Sequence, residues 1–357
     1  MSLAEARAAY GARAWPDAAA AYETADRAGG LAADDLEAWG MAAFLTGRLQ
    51  AAAGLRERAH HAHLAEGDRD GAARTAFWLA LTCTFRGEPA RAAGWFSRMR
   101  AVLGDDFTGS LWEGYLLLSD AMRGLHSGDA DAALRLSAQA LAVAQRYDDV
   151  DLLVLGGNGH GQALLASGDL AGGLGELDGV MLLAMGAPVN PQAVGVVYCA
   201  IVANCKECLD VDRSREWTRV LDEWCALQPG LVPFQGACIV HRSEMLQLGG
   251  EWDRALGELE GLIAHPGPNE NTVGEALYLR AELHRLRGDH GAAEQGYRAA
   301  LAAGKDPQPG LALMRAAQGR YDVALLALTR ALEERRPLQL TIRLLCALVE
   351  VALLAGD

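Results

Sequence analysis

The sequence predicts an all-α fold, a right-handed α-solenoid of antiparallel helix pairs running over residues 1–357. Three observations predict it: a recurring turn signature, its near-regular spacing, and matched small residues on either side of it. The run Gly249-Gly250-Glu251-Trp252-Asp253-Arg254-Ala255-Leu256 reads as a helix stop, an acidic first turn and a new apolar face. The same punctuation returns at Gly47-Arg48, Gly87-Glu88, Gly128-Asp129, Gly168-Asp169, Gly288-Asp289 and Gly319-Arg320. Degenerate copies stand at Arg13 and at Leu209-Asp210. With Gly356 these markers recur every 31 to 41 residues, and self-similarity at such a period is the signature of a helical-repeat array.

Each unit is justified by where its small residues fall. Seven positions before most markers lies Gly40, Ala80, Ala121, Gly161, Ser243, Ala281 or Ala312. Five positions after lies Ala18, Ala52, Ala92, Ala133, Gly173, Ser214, Ala255, Ala293 or Ala324. Two small residues three helical turns apart let paired helices approach closely. The Leu209 unit fits worst, with Val202 where a small residue belongs. Eight of the 11 prolines fall in connectors between units, at 188, 191, 229, 233, 266, 268, 307 and 309. Pro16 and Pro89 sit in first turns of helices, where a missing N–H costs nothing. No linker separates domains, so one continuous array of about nine helix pairs plus a terminal helix is expected.

Composition bounds the function. Hydrophobic residues make up 51% of the 357 and the net charge is −14, which opposes direct binding to nucleic acid or an anionic membrane. Arginines have acidic neighbours, as in Glu333-Glu334-Arg335-Arg336. The seven cysteines, an odd number, are scattered through apolar stretches. With no signal segment or membrane span, a soluble cytoplasmic protein with reduced thiols is expected.

Motifs that could carry chemistry are weak. Gly156-Gly157-Asn158-Gly159-His160-Gly161 lacks the strand and the Lys-Ser/Thr of a phosphate loop. His60-His61-Ala62-His63 reads as a solvated helix face rather than a metal site. Cys205-Lys206-Glu207-Cys208, with Cys199 earlier, reads as buried small hydrophobes. No catalytic residue, cofactor or metal is assigned.

The repeat pattern resembles a tetratricopeptide (TPR) array over nearly the whole chain, with units longer than the usual 34 residues. That resemblance implies a concave groove lined by the first helix of each pair. Carried over unit by unit, the groove positions are Arg74 and Phe77, Tyr115 and Met122, Asn158 and Gln162, and Cys199 and Lys206. They continue as Glu244 and Gln247, then Tyr278, Glu282 and Arg285. The ligand is expected across the fifth to eighth units, from about Asn158 to Arg285. Arg242 and Arg280, like Glu244 and Glu282, occupy equivalent places and suggest an acid–base ladder.

A narrower resemblance rests on Leu231-Val232-Pro233-Phe234-Gln235-Gly236, Cys238 and His241-Arg242-Ser243-Glu244. Arg215-Glu216-Trp217, Glu282-Leu283-His284-Arg285-Leu286-Arg287-Gly288 and Pro307-Gln308-Pro309-Gly310-Leu311 extend it. Together they are similar to the TPR region of actinobacterial LuxR-type transcriptional regulators, without the C-terminal helix-turn-helix. The resemblance implies a sensor region that binds a small molecule, peptide or partner protein in its groove; a homodimer is kept open beside it. It also implies that the chain is cut from something longer or is a standalone relative. The other class kept open is an enzyme with a Cys/His/Glu centre, metal-bearing or not, near Cys199–Glu244.

Overall fold

The computed structural model describes residues 2–227, 232–266, 270–334 and 338–356. Pro229, Leu231, Pro268, Arg335 and Arg336 of the motifs above lie outside the described residues. The all-α class is found: among the described residues there are nineteen α-helices and no strand. They are α1 (Leu3–Gly11), α2 (Trp15–Gly29), α3 (Ala33–Leu45), α4 (Leu49–Glu66), α5 (Arg69–Phe85) and α6 (Pro89–Leu103). After a 3₁₀ turn at Gly104–Phe107 come α7 (Leu111–Ser127), α8 (Ala130–Tyr147), α9 (Val150–Ser167), α10 (Leu170–Gly186) and α11 (Pro191–Glu207). The remainder are α12 (Val211–Ala226), α13 (Gln235–Leu248), α14 (Trp252–Ala264), α15 (Glu270–Leu286) and α16 (His290–Ala302). Last are α17 (Gly310–Ala317), α18 (Tyr321–Glu333) and α19 (Leu338–Ala355). No helix among the described residues is long and apolar enough to cross a membrane.

The turns behave as their residue types require. All ten markers have positive φ, from 57° at Arg13 to 95° at Gly168. Glycine occupies eight of them because it enters the left-handed region without a Cβ clash. Arg13 and Leu209, at 57° and 59°, hold that conformation without this freedom. The acidic residue that follows several markers is an N-cap: Asp129, Asp169 and Asp289 accept from the backbone N–H of Ala132, Gly172 and Ala292 at 3.0, 2.9 and 3.0 Å. The connector prolines also fit, since Pro191 is the first residue of α11.

The small positions are buried throughout. Ala80, Ala121, Ala281, Ala52, Ala133, Ala255, Ala293 and Ala324 are fully buried, and Val202 is accommodated in the core as well. At Gly161 of α9 an added Cβ would lie 2.7 Å from Leu177 and 3.2 Å from the carbonyl of Gly173 on α10. The backbones of α9 and α10 therefore approach as closely as the missing side chains allow.

By contact density the chain divides into two compact units, Met1–Cys205 with Val220–Gln235, and Lys206–Arg219 with Gly236–Asp357. The first unit folds back on itself. The Val232 N–H donates to the carbonyl of Leu45 at the end of α3 (2.9 Å). Phe234 is buried against Phe44 (6.2 Å between centroids) and Trp224 (6.2 Å). At Gly195 of α11 any Cβ would run into the Phe234 ring, so the helix can pass only as glycine. In the second unit, Leu256, Leu259 and Leu262 of α14 pack with Leu279 and Leu283 of α15. Farther along, Leu328 of α18 packs with Leu344, Ala347 and Val351 of α19.

Replacing Gly161 or Ala281 by Leu overpacks a helix pair and costs about 1–3 kcal/mol in urea unfolding. Gly175 of α10, with nothing within 4 Å of its added Cβ, is the control. Gly175→Ala stabilises by about 0.5–1 kcal/mol. Equal effects at all three positions would show the helix-pair register to be misplaced.

Candidate functional site

The residues nominated from the sequence fall into both units. In the first, Phe77 of α5 is buried edge-to-face against Tyr115 of α7, 4.6 Å between centroids. The Tyr115 hydroxyl donates to Asp149 Oδ1 (2.9 Å), and burial, with that carboxylate beside it, holds the phenol well above its ordinary range. Both rings thus serve as inter-helix packing. Asn158 of α9 is buried with no hydrogen-bond partner for Oδ1 among the described residues, and Gln162 lies half-buried one turn on. Cys199 is half-buried; burial, and then Cys225, push its thiol up to about 12. A thiol so held stays protonated at neutral pH and is a poor nucleophile.

In the second unit the nominated residues pair among themselves. Lys206 Nζ donates to both oxygens of Glu244, at 2.8 and 2.7 Å. Nδ1 of His241 stands 3.6 Å from the same carboxylate. Burial pushes Glu244 up, yet His241 and Lys206 together hold it down at about 2. One turn on, Gln247 is half-buried and its carbonyl accepts from Trp252 Nε1 (3.0 Å). Tyr278 is buried 5.9 Å from the Tyr297 ring, with Lys305 Nζ 5.6 Å from its own centroid. Glu282 takes a bidentate pair from Arg285 (3.2 and 2.9 Å) and a hydrogen bond from the Tyr297 hydroxyl. Arg242 pairs with Glu258 on α14 (2.6 Å).

The histidine run needs correction. The sequence reading makes His60-His61-Ala62-His63 a solvated face, but His60 and His63 are buried and only His61 is exposed. His60 Nδ1 lies 2.8 Å from the carbonyl of Ala72, and its ring is edge-on to Trp95 at 5.2 Å. His63 places Nε2 2.7 Å from Glu37 and Nδ1 2.8 Å from Asp68. The reason is helical periodicity: residues three apart share a face, and here that face meets α3 and α5. Asp34, Glu37 and His63 present ligand atoms within 4.8 Å of one another. Arg74, however, already bonds Glu37 at 2.8 Å and Asp34 at 3.2 Å and supplies the compensating positive charge.

An open cavity of about 320 Å³ lies in the first unit. Ala184 and Met185 at the end of α10, Val189 in the connector, and Pro191, Val194 and Tyr198 of α11 form one side. Val220, Glu223, Trp224 and Leu227 of the α12 segment form the other, and Arg13 at the α1–α2 turn completes the border. The Tyr198 and Trp224 rings lie 5.7 Å apart. Burial and the neighbouring Cys225 push the Tyr198 phenol up to about 12, so it remains a donor. The exposed lining is polar and apolar in similar measure, and a concave site with convergent polar groups can hold a small ligand.

The first turn of α11, which forms one wall, is held by polar links on both sides. The Asn190 N–H donates to Asp151 of α9 (2.7 Å), and the Gln192 N–H donates to Asn190 Oδ1 (2.9 Å). The Gln192 side chain accepts from Arg56 of α4 (2.8 Å). Sequence reasoning missed this cavity: none of the residues it nominated for the groove lines it. The signal was present in α12, where Val220, Trp224 and Leu227 recur at four and three residues and form one apolar stripe.

No family model matches the chain, and no curated protein sequence matches it. Among solved structures, the P58(IPK) TPR domain is similar over 98% of this chain and 96% of its own, with 12% identity and a TM-score of 0.28. Yeast Tom70 is similar over 98% of this chain and 95% of its own, with 12% identity and a TM-score of 0.31. Likeness at that level adds nothing to the helix-pair fold read from the structure itself.

Asp151 gives a pH signature for the α11 wall. Burial, opposed by the Asn190 N–H and reinforced by Asp149, pushes its carboxyl up to about 6. A carboxyl raised on folding contributes stability that is present below its unfolded value of about 3.9 and is lost as pH rises through about 6. Asp151→Asn keeps the acceptor and removes the titration. The variant should gain stability over the parent as pH climbs from about 4 to about 7 in urea unfolding. A gap that does not change with pH would contradict this.

Proposed function

We propose that the chain is the sensor region of a LuxR-type transcriptional regulator, a binding rather than a catalytic module. Its effector is a small, largely apolar molecule held in the first-unit cavity between α10, α11 and α12. The observation that carries this reading is the cavity itself: about 320 Å³ of concave space with Tyr198, Trp224 and aliphatic groups around it. That volume is near the lower end of the usual range for small-molecule sites, ~300–1,000 Å³. A compact aromatic ligand matches it better than an extended peptide. The regulator role itself rests on the ordered motifs between Arg215 and Leu311.

The reading also explains the investment of aromatic surface. Burying a ring against Trp224 and the aliphatic groups beside it removes apolar area from water, at about 25 cal/mol per Å².

N-phenyl-1-naphthylamine, a neutral fluorophore that joins a phenyl ring to a naphthalene, should bind the chain saturably at one site. Ala187→Trp or Val194→Trp, each filling the cavity, should reduce that binding at least tenfold while helical circular dichroism is unchanged. Binding insensitive to both substitutions, or no saturable binding, would sink the proposal.

A further inference from the structure

We infer that the cavity ligand carries an anionic group, and that Arg13 is the residue that holds it; this rests on the cavity reading above. Arg13 stands at the turn of the first helix pair, where eight of the other nine markers are glycine. Its φ is 57°, in the left-handed region that side chains with a Cβ enter at a cost. Both backbone bonds of this turn, Arg13 N–H to Tyr10 and Ala14 N–H to Ala9, at 3.0 Å each, would be made equally well by glycine. The turn itself therefore gives no reason for an arginine.

The surroundings supply one. Arg13 is exposed and lines the same cavity as Tyr198 and Trp224. It forms no ion pair with any described residue. Arg7, Arg56, Arg58 and Arg74 of the same unit have bonded partners; Arg135 and Arg146, like Arg13, are exposed and have no ion pair with a described residue, but neither borders the cavity. Glu223, the other charged residue on the border, has an interaction of its own. An exposed guanidinium beside a cavity with aromatic and aliphatic side chains in its lining matches a carboxylate or sulfonate on an aromatic body, which it can grip through two parallel N–H donors. Strain kept at a binding residue, where a relaxed glycine would fold better, is the expected relation between a site and the stability it forgoes. The ligand class is then a compact aromatic acid.

Two probes with the same apolar body separate the two readings. 1-Anilinonaphthalene-8-sulfonate is the anionic counterpart of neutral N-phenyl-1-naphthylamine. Arg13→Gly should raise the thermal midpoint, because it relaxes the turn. It should also weaken the anionic probe about tenfold, the loss of one charge-assisted contact, and leave the neutral probe unchanged. Arg13→Lys should recover part of the anionic affinity. If Arg13→Gly leaves the anionic probe unaffected while Ala187→Trp displaces both probes, the anion inference fails and the cavity reading stands. If Ala187→Trp and Val194→Trp displace neither probe, the cavity reading fails, and the anion inference fails with it.

Discussion

Arg56 is buried in α4 with no carboxylate bonded to it among the described residues, and the closure of the first unit turns on how its guanidinium is satisfied. It donates to the carbonyl of Trp78 (3.0 Å), to the Thr82 hydroxyl and to the Gln192 side chain (2.8 Å). It also stands 5.6 Å from the centroid of Phe44. Burial pulls its pKa down to about 10, so it remains charged at neutral pH. A buried charge is costly unless every donor is matched. Gln192 is one of those matches, and it comes from a helix 136 residues away in sequence. The cation therefore specifies where α11 must lie.

Once α11 is placed, the rest of the first unit follows. Gly195 leaves room for Phe234, which packs on Phe44 and Trp224 and brings the end of α12 against α11. The cavity is what remains between those helices, bordered by the first turn of the chain. Its position is thus a consequence of closure rather than of any one repeat. The second unit satisfies its inner polar groups locally, as Lys206 with Glu244 and Arg285 with Glu282 show.

The helix pairs were legible because their causes are local. A left-handed turn wants glycine, a first turn wants an acid, and close helices want small residues, so markers and offsets could be read from one strand of text. What was not legible has long-range causes. His63 looks solvated until α3 and α5 bring Glu37 and Asp68 to its two nitrogens. Phe77, Tyr115 and Tyr278 look like groove walls until the neighbouring helices bury them. The motif around Phe234 was visible as a distinctive run, but nothing local says that it inserts beside Gly195. Arg13 looked like a degenerate repeat; only its φ and its place on the cavity border make the departure informative.

A double-mutant cycle on Arg56→Met and Gln192→Leu in urea tests the closure most directly. Single substitutions alone are ambiguous, since replacing a buried charge by an apolar group of similar volume can be neutral or stabilising. The coupling between the two is not. A buried, charge-assisted hydrogen bond between these side chains predicts a coupling energy of about 1–2 kcal/mol. Additive effects, with a coupling indistinguishable from zero, would mean that α11 does not lie against α4 and that the cavity it walls does not exist.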